Sequence, residues 1–136
     1  MFMEYVDPAR SKLMSRVRGK DTKPEMIVRR LLHAAGYRYR LHASDLPGKP
    51  DIVFRNRKKA ILVHGCFWHR HPGCMKATTP KTRAHFWSDK FEANMARDTR
   101  NLAALKGAGW EALVVWECET NEPGALFDRL VRFLAN

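Results

Sequence analysis

An amphipathic segment of helical length lies between two apolar, strand-like stretches, and that order restricts the fold more than any other feature of the chain. Ile52-Val53-Phe54 and Ala60-Ile61-Leu62-Val63 are short apolar runs joined by the basic turn Arg55-Asn56-Arg57-Lys58, the pattern of a hairpin. From about Ser88 to Lys106, Phe91, Met95, Leu102 and Leu105 recur on one helical face, and Gly107 and Gly109 end the element. Leu113-Val114-Val115-Trp116 then reads as a buried strand. A long helix between apolar strands requires a crossover, whereas the hairpin pairs antiparallel. The expected fold class is therefore α/β, a mixed sheet flanked by helices on both faces.

The flanking segments extend this frame. Asp21-Thr22-Lys23-Pro24-Glu25 is a helix start, with Thr22 as the cap, Pro24 in the first turn and Glu25 three residues after the cap. That helix continues through Met26, Ile27, Leu31 and Leu32 to Gly36. Tyr37 to Leu41 alternates aromatic or apolar residues with arginine, a half-buried strand pattern, and Leu46-Pro47-Gly48-Lys49-Pro50 is a turn. Pro123 opens a last helix with Leu126, Phe127, Leu130, Val131 and Leu134 facing inward. We read residues 1–136 as a single domain, with residues 1–20 a basic arm, helical in part, and 21–135 the core.

Charge narrows the partners. The chain carries 25 Lys and Arg against 14 Asp and Glu, a net +11, which favours a polyanion and makes any binding steeply salt-dependent. Arg16, Lys20 and Lys23, with Lys76, Lys81 and Arg83, are candidate phosphate contacts that would set register rather than sequence. No apolar run approaches the roughly 20 residues of a bilayer span, and the N-terminus lacks an apolar signal region, so we expect no membrane association and a cytoplasmic location.

The densest chemistry lies in one loop. His64-Gly65-Cys66-Phe67-Trp68-His69-Arg70-His71-Pro72-Gly73-Cys74 holds two thiols, three imidazoles and two adjacent large aromatics. Cys66, His71 and Cys74, with Cys118 just beyond the last strand, supply four ligands of the type that close a tetrahedral, structural zinc shell. Spacing alone leaves His69 as a competing imidazole, and a merely buried Cys118 is the plainer alternative. Three cysteines are awkward for a disulfide framework and well suited to one metal site. Phe67, Trp68 and Trp87 are candidates for insertion between base pairs, which kinks a duplex at the expense of unstacking. For Trp87, packing at a helix start competes evenly with that role.

Pro50-Asp51 before an apolar hairpin is the layout of metal-dependent nucleases of the restriction-endonuclease-like fold, although the carboxylate and lysine those enzymes place on the next strand are absent at Val63-His64-Gly65. The full string is more specific. Leu46-Pro47-Gly48-Lys49-Pro50-Asp51, His64 to His69 and Val115-Trp116-Glu117-Cys118 together resemble the very-short-patch repair endonucleases, a bacterial family of mismatch-nicking enzymes. The likeness continues in Ser11-Lys12, in Asp21-Thr22 with Glu25, and in Phe86-Trp87, and covers about residues 9 to 135.

That resemblance implies a monomeric, Mg2+-dependent endonuclease that nicks double-stranded DNA 5′ to the thymine of a T:G mismatch, the product of deaminated 5-methylcytosine. It implies that Asp51 bridges two Mg2+ ions with help from the Val63 backbone carbonyl, and that His69 positions or deprotonates the attacking water. Glu25 and His64 would hold metal-bound waters or orient His69, although for Glu25 the residues themselves favour the capping role. Zinc would take Cys66, His71, Cys74 and Cys118. Val63 stands where a known member has threonine, keeping the carbonyl and losing the hydroxyl, and the His71–Cys74 spacing is one residue longer. Contacts with repair proteins and a nucleoid location through DNA follow from the same likeness. Two other readings remain open at this stage: a restriction-linked nuclease of this fold without mismatch preference, and a zinc-stabilised DNA-binding module that cleaves nothing.

Overall fold

The computed structural model describes residues 21–135. The expected helical arm, with Arg16 and Lys20, lies outside them. Helix α1 spans Lys23–Ala34, and the Thr22 hydroxyl accepts the Glu25 N–H at 3.4 Å. Only half of the anticipated capping box forms, because the Glu25 carboxylate accepts from the N–H of Asp21 rather than that of Thr22. Gly36, at φ +87°, adopts the left-handed conformation that stops the helix.

Strands β1 (Arg40–Leu41), β2 (Ile52–Phe54) and β3 (Lys59–His64) follow, with β1–β2 and β2–β3 antiparallel. The first strand is shorter than its alternation suggests. Its ladder begins at Arg40↔Val53, and since β2 ends at Phe54 the earlier residues have little strand to face. Tyr37 and Tyr39 still pack edge-on against Phe54, each with ring centroids 6.3 Å away. The basic turn after β2 does more than reverse the chain: Arg57 donates to the Leu134 carbonyl and Lys59 to that of Phe133, placing cations at the end of the last helix.

Helix α2 runs Ala84–Gly107 and starts a turn earlier than the apolar period indicates. It carries the crossover to β4 (Glu111–Trp116), which pairs parallel with β3 from Lys59↔Glu111 to His64↔Trp116. A 3-10 turn, Glu117–Asn121, leads to helix α3, Pro123–Ala135. Glu119 ties this junction, accepting from the Trp116 N–H and, with both carboxylate oxygens, from Arg129 Nη1.

The sheet order is β1-β2-β3-β4, and the pleat sends alternate residues into two cores. Ile52, Phe54, Ile61 and Val115 meet Val28 and Leu32 of α1 and Leu126, Leu130 and Leu134 of α3. Val53, Ala60 and Leu62 meet Leu105 and Trp110 on the opposite face. Each fully buried leucine contributes roughly 1.5–3 kcal/mol. Three inward assignments need correction. Met95 is 41% exposed, because the covered stripe of α2 leans toward Asn94, Asp98 and Asn101, and Phe127 and Val131 are only half-buried.

Candidate active site and metal knuckle

The C-terminal ends of β3 and β4, the turn before β2 and one face of α2 enclose a cleft of about 1040 Å³. Its walls include Asp51, Glu25, Val63, His64, His69 and Asp98. Asp51 precedes β2 directly, and its carboxylate accepts the Val63 N–H at 2.7 Å. Burial pushes this carboxyl up to about 6, and Glu25 adds to the effect, while the Val63 N–H, His42 and His69 oppose it. A buried acid in that condition favours a proton or a cation beside it. The Leu46–Pro50 turn that delivers Asp51 is fitted closely to α2. At Gly48, with φ +76°, a Cβ would lie 3.0 Å from Asn101, so this turn has no room for a side chain.

His69 Nδ1 lies 2.6 Å from the Asp98 carboxylate, which fixes the imidazole and leaves Nε2 for chemistry. His64 stacks flat on His69, with ring centroids 3.8 Å apart and planes at 6°, and Trp116 closes its other side edge-on. Burial first, and His69 second, push His64 down to about 4, against the pull of Asp98. His64 is therefore neutral near pH 7 and acts on His69 through its ring face.

Glu25 is only 1% exposed. Its hydrogen bonds run to His42 Nε2 at 2.7 Å, to the Arg29 guanidinium and to the Asp21 N–H. These are partners other than His69, yet Glu25 borders the same cleft. Three residues here escaped the sequence reading. Asp98 left a faint signal, being a carboxylate seven residues from both Phe91 and Leu105 inside an apolar stripe. Arg29 is one turn from Glu25, an ordinary ion-pair spacing. His42 gave no signal, since only the left-handed bend at φ +49° brings it to Glu25.

Cys66, His71, Cys74 and Cys118 place their donor atoms within 4.8 Å of one another. His71 Nδ1 is 3.6 Å from Cys66 Sγ and 3.4 Å from Cys118 Sγ. Around a tetrahedral zinc, thiolate at roughly 2.3 Å and imidazole at 2.0–2.1 Å would stand about 3.6 Å apart. The donor set therefore fits zinc. Of the two competing imidazoles, His71 lies with the thiols and His69 faces Asp98. Gly73 at φ +71° and a Cys74 N–H to His71 carbonyl bond fold the stretch from His71 to Cys74 into a turn. Burial pushes Cys66 up to about 12 and raises Cys118, whereas the Lys76 N–H lowers Cys74. A bound cation would reverse the neutral-thiol preference of the first two. Trp116, expected in the core, stacks on His71 at 4.2 Å and so backs the knuckle.

The aromatics form one cluster beside the cleft. Phe67 meets Trp68 edge-on at 5.1 Å, Phe91 at 5.3 Å and Trp87 at 6.0 Å. Phe67 and Trp68 are half-buried and line the cleft, while Trp87 is 6% exposed and supports them from below. Trp87 packs as a core residue at its helix start. Lys23, Lys49, Lys76, Lys90 and Arg97 add positive charge to the cleft walls. Arg83 instead begins α2 with its guanidinium over Phe86.

Residues 3–76 match the family model described as DNA mismatch endonuclease Vsr. The type II nicking enzyme V.XorIIP of Xanthomonas oryzae pv. oryzae is 55% identical over 132 residues, 96% of each chain. The type II nicking enzyme V.NmeAIP of Neisseria meningitidis is 40% identical over 96% of this chain and 92% of its own. The DNA mismatch endonuclease Vsr of Escherichia coli is 40% identical over 80% of this chain and 69% of its own.

Proposed function

Because the chain belongs to the Vsr family of strand-nicking DNA mismatch endonucleases, we propose that it hydrolyses one phosphodiester 5′ to the thymine of a T:G pair, within a restriction-endonuclease-like fold. The carrying observation is that one cleft holds Asp51, the His69–Asp98 pair and the Phe67–Trp68 edge together. Membership of a family of strand-nicking enzymes disfavours the non-catalytic DNA-binding module.

Asp51 and the Val63 carbonyl would hold two Mg2+ ions, whose chemistry is to neutralise charge on the attacking and leaving oxygens of an in-line displacement. His69 Nε2 accepts the proton of the attacking water, and Asp98 holds the opposite ring nitrogen and steadies the imidazolium that results. His64, neutral and stacked, fixes the plane in which His69 turns. Glu25, pinned by His42 and Arg29, presents a carboxylate to a water in the same cleft. The products are a 3′-hydroxyl and a 5′-phosphate. Phe67 and Trp68 enter the stack at the mispair, where unpairing is less costly than at a matched step, and Trp87 underlies them. Cys66, His71, Cys74 and Cys118 would hold a zinc ion, whose contribution would be to lock the loop rather than to act on substrate. A single-domain monomer acting in the bacterial cytoplasm on deaminated 5-methylcytosine is the matching cellular picture, with contacts to repair proteins as part of it.

The names of the nicking-enzyme relatives mention no mismatch, which favours one second reading: a restriction-linked nuclease indifferent to pairing. End-labelled T:G and T:A duplexes of the same sequence separate the two. The proposal expects Mg2+-dependent nicking confined to the T:G duplex and abolished in Asp51→Ala. Equal rates on both duplexes would refute mismatch selection, and unchanged nicking by Asp51→Ala would refute the metal-dependent mechanism.

A further inference from the structure

Between the histidine of the catalytic pair and the histidine of the metal knuckle stands Arg70, whose side chain turns away from both. Its backbone is left-handed, with φ +54°, a conformation unfavourable for a residue with a Cβ. That bend lays the guanidinium 4.0 Å over the Phe91 ring and 5.7 Å from the centre of Phe67. One side of the fork donates to the Thr78 carbonyl at 2.8 Å and the Phe67 carbonyl at 3.3 Å. The other donates to the Ala77 carbonyl at 2.9 Å and the Thr79 hydroxyl at 3.1 Å. Every one of these contacts therefore joins one of three things: the backbone and ring of Phe67, the irregular segment after the knuckle, and the aromatic side of α2.

We infer that Arg70 is a positioning residue for the aromatic wedge, holding Phe67 and with it Trp68 at the angle from which they enter the base stack. This inference rests on the mismatch-nicking reading above. A planar, forked cation can serve four acceptors while standing over a ring. Lysine, a flexible point charge with a single nitrogen, cannot do both. Arg70 reaches neither the His69–Asp98 pair nor the four metal donors through its side chain, so its influence is on insertion and not on proton transfer.

The test compares the unaltered protein with Arg70→Lys and Arg70→Ala. Duplexes carry 2-aminopurine beside a T:G or T:A pair, and binding is followed without Mg2+ so that no strand is cut. The unaltered protein should raise 2-aminopurine fluorescence at T:G, the signature of an unstacked step. Arg70→Lys should give less than half that rise at saturation, with about a tenfold higher KM for T:G nicking. Its zinc content and the pH profile of kcat should match the unaltered protein. Arg70→Ala should show the same split more strongly, and if it fails to fold Arg70→Lys decides alone. Wild-type fluorescence and KM in Arg70→Lys would overturn the role of Arg70. So would loss of zinc in that variant, which would make Arg70 a support of the knuckle. Absence of a fluorescence rise in the unaltered protein would overturn the wedge reading itself, and this inference with it.

Discussion

Replacing Asp51 by asparagine should make the Mg2+-free protein more stable while destroying its activity. Burial raises the carboxyl from an ordinary 3.8 to about 6, a rise of roughly two pH units at about 1.4 kcal/mol each. Ionising Asp51 in the fold therefore costs at most about 3 kcal/mol, which residual water access reduces to roughly 2 kcal/mol. The sign follows from the order of titration. The unfolded chain loses this proton near pH 4 and the folded chain near pH 6, so stability falls as pH rises through that window and stays low above it. Asparagine carries no such penalty, and its amide oxygen can still accept the Val63 N–H. The difference between Asp51→Asn and the unaltered protein should open from pH 4 to pH 6 and then remain level. His64 works in the opposite direction over a similar range, since its lowered value withdraws stability as pH falls below about 6.5. It is common to both proteins and cancels when they are compared at each pH. Thermal melting in Mg2+-free buffer, with zinc retained, should show the variant about 6 °C higher at pH 7.5, from roughly 3 °C per kcal/mol for a chain of this size. A variant that melts at or below the unaltered protein between pH 6 and 8, or a gap independent of pH, would refute the reasoning.

Asp98→Asn should leave zinc content and duplex affinity intact while kcat falls about 10²–10⁴-fold, because the amide no longer holds His69 in the tautomer that accepts a proton. Nicking rates at saturating duplex test this. Cys118→Ser should release the metal and unfold at least the knuckle, since small zinc sites contribute roughly 10–16 kcal/mol; metal analysis and circular dichroism report both effects. Leu130→Ala removes a fully buried side chain between α3 and the sheet and should cost about 2–5 kcal/mol, measured by urea unfolding at fixed zinc.

Elements bounded by local chemistry were legible in the sequence. Thr22 and Gly36 delimit α1, the basic turn separates β2 from β3, and the long amphipathic run forces the parallel pairing of β3 with β4. The gathering of Cys66, His71, Cys74 and Cys118 was legible for a similar reason, since three lie within nine residues and the fourth follows the strand next door. The start of α2 was not, because Arg83 supplies no side-chain cap and Ala84 to Trp87 carry no helical stop or start signal. Roles created by long-range contact were equally hidden. Asp98 meets His69 across 29 residues and His42 meets Glu25 across 17, and no local pattern names either pairing. Arg70 read as one more cation in a basic chain, whereas its ring and carbonyl contacts exist only in the folded loop.

The α2 face that runs Trp87, Phe91, Asn94, Asp98 and Asn101 gives this enzyme a single ruler. Trp87 and Phe91 meet the aromatics, Asn94 donates to the Trp68 carbonyl, Asp98 meets His69, and Asn101 packs on the Gly48 bend. A helix advances about 100° per residue, so one residue inserted between Phe91 and Asp98 would swing the later marks out of phase with the earlier ones. Loops around the knuckle have no such phase to keep, but this rod must keep its count.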